Sequence, residues 1–509
     1  MKHCVCLGLT VVLALATGTS ALSRYKPFTN CDDERIVHRF TVIDYIWPSD
    51  TAREHALEKE DYIPHNNIIS GMKTYDNKVY VTVPRWRRGV PSTLNKVIVR
   101  NGTSMLQPFP SWKMQKIGDC RALQFVQSME IDPNTGWMWI IDTGRINFFA
   151  ADGTATKNVC PAKIVIYDIN KMEEVTRHEF PNHVADRNVT FLNDIVVMYS
   201  GSRPRYAFIS DTFAFRMVVY DMIRNTSHFF SHPSMLPEPG NGNITIMGET
   251  LSLSAGINGI AMSSDMKFIY FGSISGYSVY QIPSRVARNP HGNFARYVRK
   301  VGVKPSQGEG MTYSRSNHLY FSDLTSNSIN RWDIDQDRKI QRKSFQRVAM
   351  KSVSEVLSSN TCMNFVDTLT FDTEGYLWFT VNKLHKYILT SMDFTGSSGP
   401  NVLIWKVYVG EVGYLDRRRT IKLAPCGRRC GPNERCDVGT NRCVCNHGYM
   451  RYNRKTCQLP CDGRCGSFPH SHCDHSTNRC TCDPRCTGTP YGGARAGCIC
   501  EQRGSGRYY

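Results

Sequence analysis

GEGMTYSRSNHLYFSDLTSNSINRWDID, residues Gly308–Asp335, decides the fold. An acidic residue opens a short apolar strand, and a polar turn follows. An aromatic strand comes next, and then a further strand that ends at Trp332 and Asp333. The stretch is one copy of a repeat. Related copies read SGMKTYDNKVYVTVPRW (70–86), SMEIDPNTGWMWIIDTGR (128–145), NDIVVMYSGSRPRYAFISDT (193–212), NGIAMSSDMKFIYFGSIS (258–275), EGMTYSRSNHLYFSDLTS (309–326) and DTLTFDTEGYLWFTVNKL (367–384). Each runs from a polar or small residue through an apolar strand and an Asp-, Asn-, Ser- or Gly-rich turn into an aromatic and β-branched strand. A spacing of roughly fifty to seventy residues suits a four-stranded propeller blade with its loops.

Runs such as VYVTV and WMWII are apolar on both faces, so both faces must be buried. The turns Asp76-Asn77, Asn134–Gly136 and Glu374-Gly375 supply hairpin conformations. Helical periodicity is scarce, and TAREHALEKE from Thr51 is the clearest short helix. Six copies predict an all-β fold, a six-bladed β-propeller over 33–423. The segment from Ile36 is expected to join VLIWKVYV (from Val402) and close the ring, leaving no long free edge. Two β-sandwich domains would not need so regular a repeat.

The chain has 509 residues, 20 cysteines and a formal net charge of +18. Residues 1–21 have a basic start, a short apolar run and small residues before a cut after Ala21, the pattern of a secretory signal peptide. No other stretch approaches the ~18 apolar residues of a spanning helix. The expectation is a secreted, extracellular protein with no transmembrane anchor, and disulfides suit that compartment. Cys120 and Cys160 bracket the second copy and form one expected pair; Cys31 and Cys362 are the other candidates outside the tail. Asn101, Asn188, Asn225 and Asn243 stand in glycosylation triplets. The positive charge points to acidic polysaccharide, an anionic surface or acidic proteins as partners. Basic clusters such as Arg85–Arg88 are short and scattered, and no stripe marks a nucleic-acid groove.

From Cys426 the composition changes, and fourteen of the last eighty-four residues are cysteine. Apolar residues are too few for a core, so disulfides must replace one. The spacing C-x3-C-x5-C-x6-C-x-C-x11-C over 426–457 resembles an epidermal-growth-factor-like module. That resemblance implies Cys426–Cys436, Cys430–Cys443 and Cys445–Cys457 pairings. A second cysteine-rich module, 461–500, begins with the same grammar but carries eight cysteines, which leaves its connectivity open. An interaction tail is expected, with stabilisation or tethering as the plain alternative.

The propeller part resembles the yellow/major royal jelly protein family. The carrying stretches are IDYIWPSDTAREHALEKEDYIPHNNIISGM (from Ile43), VYVTVPRWRRGVPSTLN (from Val79), CRALQFVQSMEIDPNTGWMWIIDTGR (from Cys120), CPAKIVIYDI (from Cys160), LNDIVV (from Leu192) and GINGIAM (from Gly256). The resemblance implies a secreted six-bladed propeller. Some such proteins bind small aromatic amines at one end of the channel, and others are linked to pigmentation and dopachrome conversion. Carried across residue by residue, it implies ligand contacts at Ile69, Trp86, Phe365, Asp367, Asn382 and Leu384. Two positions depart from the pattern. Asp367 replaces a neutral hydroxyl and could pair with a protonated amine, while Leu384 replaces an aromatic ring and would weaken stacking.

The residues that open each innermost strand crowd around one end of the axis, and they include Asn193, Asp194, Asn258, Glu309 and Asp367. Asn193, Asn258, Glu309 and Asp367 could offer oxygen ligands to calcium, as in propeller hydrolases; otherwise they cap strands. Asp367 or Glu309 could act as the base of an isomerase if a dry channel raises its pKa. Neither a Gly-x-Ser-x-Gly elbow nor a His-Glu-x-x-His motif occurs. The expected function is binding of a small ligand, an aromatic amine or catechol derivative, at the channel mouth, with no required cofactor. Dopachrome-type isomerisation, calcium-dependent hydrolysis and a purely structural role are the alternatives.

Overall fold

The computed structural model describes residues 31, 33–150 and 153–417, together with eight short strands between 434 and 500. Six antiparallel four-stranded sheets make six blades. Their innermost strands are Met72–Tyr75, Val126–Ile131, Leu192–Ser200, Ile257–Met262, Met311–Tyr313 and Val366–Phe371. Each packs against the innermost strand of the next blade, and the sixth packs against the first. The six sequence copies therefore open six equivalent blades.

Burial falls from the axis outward. All six residues of Val126–Ile131 are buried, whereas Glu173–Glu179, the outermost strand of the same blade, is exposed or half-buried throughout. Aromatic side chains fill the space between blades. Trp139 of blade 2 lies edge-on to Tyr220 of blade 3, and Trp332 of blade 5 lies edge-on to Tyr270 of blade 4. Removing each such side chain from water stabilises the fold by about 1.5–3 kcal/mol. The hairpin Asp76-Asn77 has both central residues at positive φ, as a tight turn matched to strand twist requires.

Blade 6 is completed from the other end of the propeller. Ile36–Phe40 pairs antiparallel with Val402–Tyr408, so the first strand closes the ring against the last. Disulfides join Cys31 to Cys362 and Cys120 to Cys160. The short helix Asp50–Glu58 begins at Ser49, whose side chain accepts the amide hydrogen of Ala52. Among the described residues no helix is long and apolar enough to cross a membrane.

The first thirty residues, where the signal peptide was expected, lie outside the described residues. In the cysteine-rich region four two-stranded hairpins are described. Glu434–Asp437 with Arg442–Cys445 and Ser471–Asp474 with Arg479–Cys482 place a cysteine opposite a cysteine in register, Cys436 facing Cys443 and Cys473 facing Cys480. Cys443, Cys445 and Cys482 are disulfide-bonded. The pairings expected of Cys426, Cys430, Cys436 and Cys457 lie outside what is described. The four sequon asparagines, Asn101, Asn188, Asn225 and Asn243, are all exposed.

Candidate functional site: an apolar mouth over a carboxylate-lined channel

The six innermost strands begin with the same three-residue step: Ser70-Gly71-Met72, Gln127-Ser128-Met129, Asn193-Asp194-Ile195, Asn258-Gly259-Ile260, Glu309-Gly310-Met311 and Asp367-Thr368-Leu369. The first residue of every step lines the axial channel, and the third enters the core between blades in most of them. In three of the six steps the middle residue is glycine, and there the position is tight. A Cβ on Gly259 would come within 2.4 Å of the Glu309 carbonyl oxygen, and one on Gly310 within 2.1 Å of the Asp367 carbonyl oxygen. Glycine there lets adjacent blades approach and brings their polar residues together.

The polar step is partly satisfied. Asp367 Oδ2 accepts from Asn382 Nδ2 at 2.5 Å and from Ser70 Oγ at 3.0 Å. Gln127 Nε2 donates to Ser70 Oγ at 2.9 Å, and Ser128 Oγ donates to Asp194 Oδ1 at 3.1 Å. Asn258 Nδ2 reaches Glu309 Oε1 at 3.3 Å. Glu309 Oε2 and Gln127 Oε1 are buried with no hydrogen-bond partner among the described residues. Burial, and then repulsion from Asp367, holds the Glu309 carboxyl well above the usual range. Burial also pushes Asp367 up to about 6, against the opposing pull of hydrogen bonds from Asn382 and Ser70. Asp194 is raised by burial too.

One end of this channel meets an apolar pocket whose free volume, with the walls as they stand, is about 30 Å³. Its walls include Trp86, Phe149, Phe191, Phe213, Phe365 and Leu384, and its polar floor is Gln127, Asn193, Asn258 and Glu309. Those four also line the channel below, so the two spaces meet at their side chains. The walls are closely packed, with Trp86 only 1% exposed and Phe365 fully buried.

Local structure fixes these walls. The Arg85 guanidinium is fully buried and donates to the carbonyl oxygens of Val90, Leu123, Gln124, Pro91 and Gln115, at 2.5–3.1 Å. One residue of the basic cluster around Trp86 is thus a pin for the loop that presents the indole. Arg87 stacks over Tyr387 at 4.0 Å, and Tyr387 in turn lies 5.9 Å from Trp86. Phe365 sits at φ +68°, a conformation a bulky residue rarely adopts. Asn382 N and Lys383 N hold that turn through the carbonyls of Phe365 and Asn364. Its ring stacks on His385, whose buried imidazole is pushed down to about 4 by desolvation and is therefore neutral at pH 7.

The other end is closed. Gly410–Asp416 crosses it, bridging Ser314 through Gly413, and Tyr414 N donates to the Tyr313 carbonyl. The Tyr414 hydroxyl accepts from Val197 N at 2.8 Å and donates to Glu130 Oε2 at 3.4 Å. Lys73 pairs with the same oxygen at 3.3 Å. Glu130 lies three residues beyond Gln127 on the blade 2 strand, so this layer sits below the polar step.

Residues 124–406 match the sequence profile described as Major royal jelly protein. The chain belongs to the major royal jelly protein family. Dopaminechrome tautomerase of Drosophila melanogaster is 22% identical over 379 residues, 70% of this chain and 79% of that protein. Protein yellow of the same species is 27% identical over 262 residues, 50% of this chain and 48% of yellow. The chain thus spans about half the length of the yellow proteins it matches. Virginiamycin B lyase from Staphylococcus aureus aligns over 67% of this chain and 95% of that chain at 14% identity, with a TM-score of 0.33.

Of the six ligand positions carried over from this family, Trp86, Phe365 and Leu384 line the mouth. Asp367 lies in the channel below. Asn382 braces Asp367 and also donates to the Ile69 carbonyl at 3.0 Å. Ile69 is fully buried and is not among the residues around the mouth. Both candidate bases, Glu309 and Asp367, face the channel, but only Glu309 also reaches the mouth. The calcium alternative fits poorly. Asn382 and Ser70 present hydrogen-bond donors to Asp367, and Asn258 presents one to Glu309. Among the described residues no group of three or more His, Cys, Asp or Glu is placed to hold a metal. Sequence reasoning missed Phe149, Phe191 and Phe213. Phe191 had a signal: Phe-x-Asn at 191–193 repeats the Phe-x-Asp of 365–367 two residues ahead of the polar step.

Proposed function

We propose that the propeller binds a small aromatic amine or catechol-derived amine at the channel mouth, with its ring between the aromatic walls and its ammonium on Glu309. The carrying observation is Glu309 Oε2, a buried carboxyl oxygen without a hydrogen-bond partner among the described residues, at the junction of apolar pocket and polar channel. Aromatic walls offer ring contacts and a face for a cation, and a charge-assisted hydrogen bond fixes its position. Burial and the neighbouring Asp367 favour the protonated form of Glu309 when the pocket is empty. An arriving ammonium favours the carboxylate, so binding releases a proton. Calorimetry with dopamine and serotonin in buffers of different ionisation enthalpy tests this. The expected result is saturable heat that depends on the buffer and loses that dependence in Glu309→Gln. No heat with either amine, or a variant indistinguishable from the parent, overturns the reading.

A second reading rests on the same carboxyl. In an aminochrome isomerisation, Glu309 would give its proton to the quinone oxygen, and the carboxylate so formed would take the carbon-bound proton, so that the electron pair moves through the ring and Glu309 ends protonated again. The floor amides would hydrogen-bond the quinone oxygen as its charge develops. The relative named dopaminechrome tautomerase makes dopaminechrome the substrate to try. Loss of its colour faster than in buffer, and abolished in Glu309→Gln, would support this reading. Secretion, glycosylation of the four exposed asparagines and attachment of the chain to an extracellular surface through the cysteine-rich tail complete the proposal.

A further inference from the structure

Far from the channel, two segments on the flank of blades 4 and 5 carry charge of one sign. SRVARNPHGNFARYVRK (284–300) and RKIQRKSFQRVAMK (338–351) hold eleven Lys and Arg residues and no Asp or Glu. Nine of the eleven are exposed; Arg299 and Arg338 are half-buried. The segments are adjacent. Met350 N donates to the Val301 carbonyl at 2.8 Å, joining the second segment to the outer strand of blade 4 that follows the first. Gln281 also bridges them, donating to the Phe345 carbonyl at 3.1 Å and accepting from Arg299 at 3.0 Å.

The nearest aspartates do not neutralise this surface. Asp335 pairs with half-buried Arg338 at 2.7 Å, and Asp333 pairs with His318 at 3.4 Å on the other side. Asp337 is buried and accepts from the amides of Lys351 and Ser352 and from the Trp332 indole. Among the described residues, none of the nine exposed cations makes an ion pair. Lys300 feels the Glu238 carboxylate; elsewhere like charges with no ion-pair partner among the described residues repel one another, so the surface is poised to gain from a polyanion. An exposed tyrosine ring lies among them: Tyr297 is 38% exposed, with the Arg285 guanidinium 5.2 Å and the Arg296 guanidinium 6.0 Å from its centroid.

We propose that this flank is a docking surface for a sulfated polysaccharide. Guanidinium groups meet oxyanions in bidentate geometry. A strip that continues from one blade to the next suits an extended chain with regularly repeated anions better than a compact partner. The Tyr297 ring gives a flat apolar face of the kind a sugar ring packs against. This surface is separate from the channel mouth, so polysaccharide and small ligand bind independently.

The test uses the full chain on immobilised heparin, with hyaluronan, double-stranded DNA and phosphatidylserine vesicles as competing probes. Two rim variants, Arg285→Glu/Arg288→Glu and Arg342→Glu/Lys343→Glu/Arg347→Glu, change only exposed side chains, and near-ultraviolet circular dichroism checks their fold. A third variant, Arg451→Ser/Arg454→Ser/Lys455→Ser, removes tail charge. Each rim variant is expected to lose at least tenfold in heparin affinity at 0.15 M salt and to elute at lower salt, while the tail variant follows the parent. Hyaluronan, which lacks sulfate, is expected to compete weakly. Unchanged heparin affinity in both rim variants overturns the proposal. So does a loss confined to the tail variant, or DNA or vesicles binding the rim more tightly than heparin does.

Discussion

At one end of the channel the Tyr414 hydroxyl both accepts and donates a hydrogen bond, and at the other a Glu309 oxygen has no partner among the described residues. Both ends are buried, and both are lined by the same six strands. They differ in what covers them. The closed end is crossed by Gly410–Asp416, which pairs with blade 5 and reaches blades 2 and 3. The open end is ringed by side chains from separate loops, which pack together without satisfying the polar floor. A buried polar group that has partners specifies one structure, whereas one without a partner is a liability that a ligand can relieve. That contrast is why the mouth, and not the channel as a whole, is the candidate site.

The largest expected effect lies at the closed end. Tyr414→Ala removes a buried ring and its two hydrogen bonds, and should lower unfolding stability by about 3–5 kcal/mol. Tyr414→Phe keeps the ring and should lower it by about 1–2 kcal/mol. Urea unfolding measures both. If the alanine variant unfolds like the parent, the strap is not structural and the contrast between the two ends fails.

At the mouth the effect should fall on binding instead. Glu309→Gln keeps the shape but cannot carry the charge that meets an ammonium, and should weaken amine binding by about 1.5–3 kcal/mol, roughly tenfold to a hundredfold. Its urea midpoint should stay at or above the parent's, because a buried ionisable group has been replaced by a neutral one. A variant that loses both binding and stability would show that Glu309 is structural like Tyr414.

The two ends also differ in how far the sequence announces them. The polar step recurs in all six copies, so Asn193, Asn258, Glu309 and Asp367 were legible as a ring once the repeat was recognised. The closing strand was legible because an unpaired apolar segment remained at the start of the fold. Trp86, Phe365 and Leu384 came from the family resemblance. Phe149 and Phe213 were not legible: each sits in a loop after the second strand of its blade, where no periodicity operates and only the folded ring brings the loops together. Tyr414 belongs to no copy of the repeat, and its partners Val197 and Glu130 are more than two hundred residues away. Arg85 misleads on composition alone, because an arginine in a basic run reads as surface, and only the five carbonyls around it show otherwise.

Between the two ends, Asp367 should make stability depend on pH. Its folded-state pKa of about 6 stands above the ordinary 3.8, so the folded protein holds the proton more firmly than the unfolded chain does. The resulting stabilisation is fully present below pH 3.8 and is lost as pH rises through about 6. Other raised carboxyls, Glu309 and Asp194 among them, act in the same direction, so the informative quantity is the difference between parent and Asp367→Asn. The variant should lack part of the decline between pH 4 and 6, on the order of 1–2 kcal/mol. Parallel pH profiles would place Asp367 in contact with solvent and remove it from the buried step.

The smallest effect sharpens the mouth itself. Leu384 lines the pocket on the helix Leu384–Ile388, close to Phe365 in the same wall. A branched aliphatic side chain offers a ligand ring apolar area but no π face. Leu384→Phe restores one, and an additional aromatic pair contributes about 0.5–1.5 kcal/mol, a severalfold gain in affinity for serotonin or dopamine. Phenylalanine is also larger, and the wall is nearly closed, so a poor fit would appear as lost stability before it appeared in binding. Measuring both separates the cases. Tighter binding at unchanged stability confirms that the ligand ring rests against this wall. Unchanged binding at unchanged stability places the ligand ring elsewhere in the pocket, away from this wall.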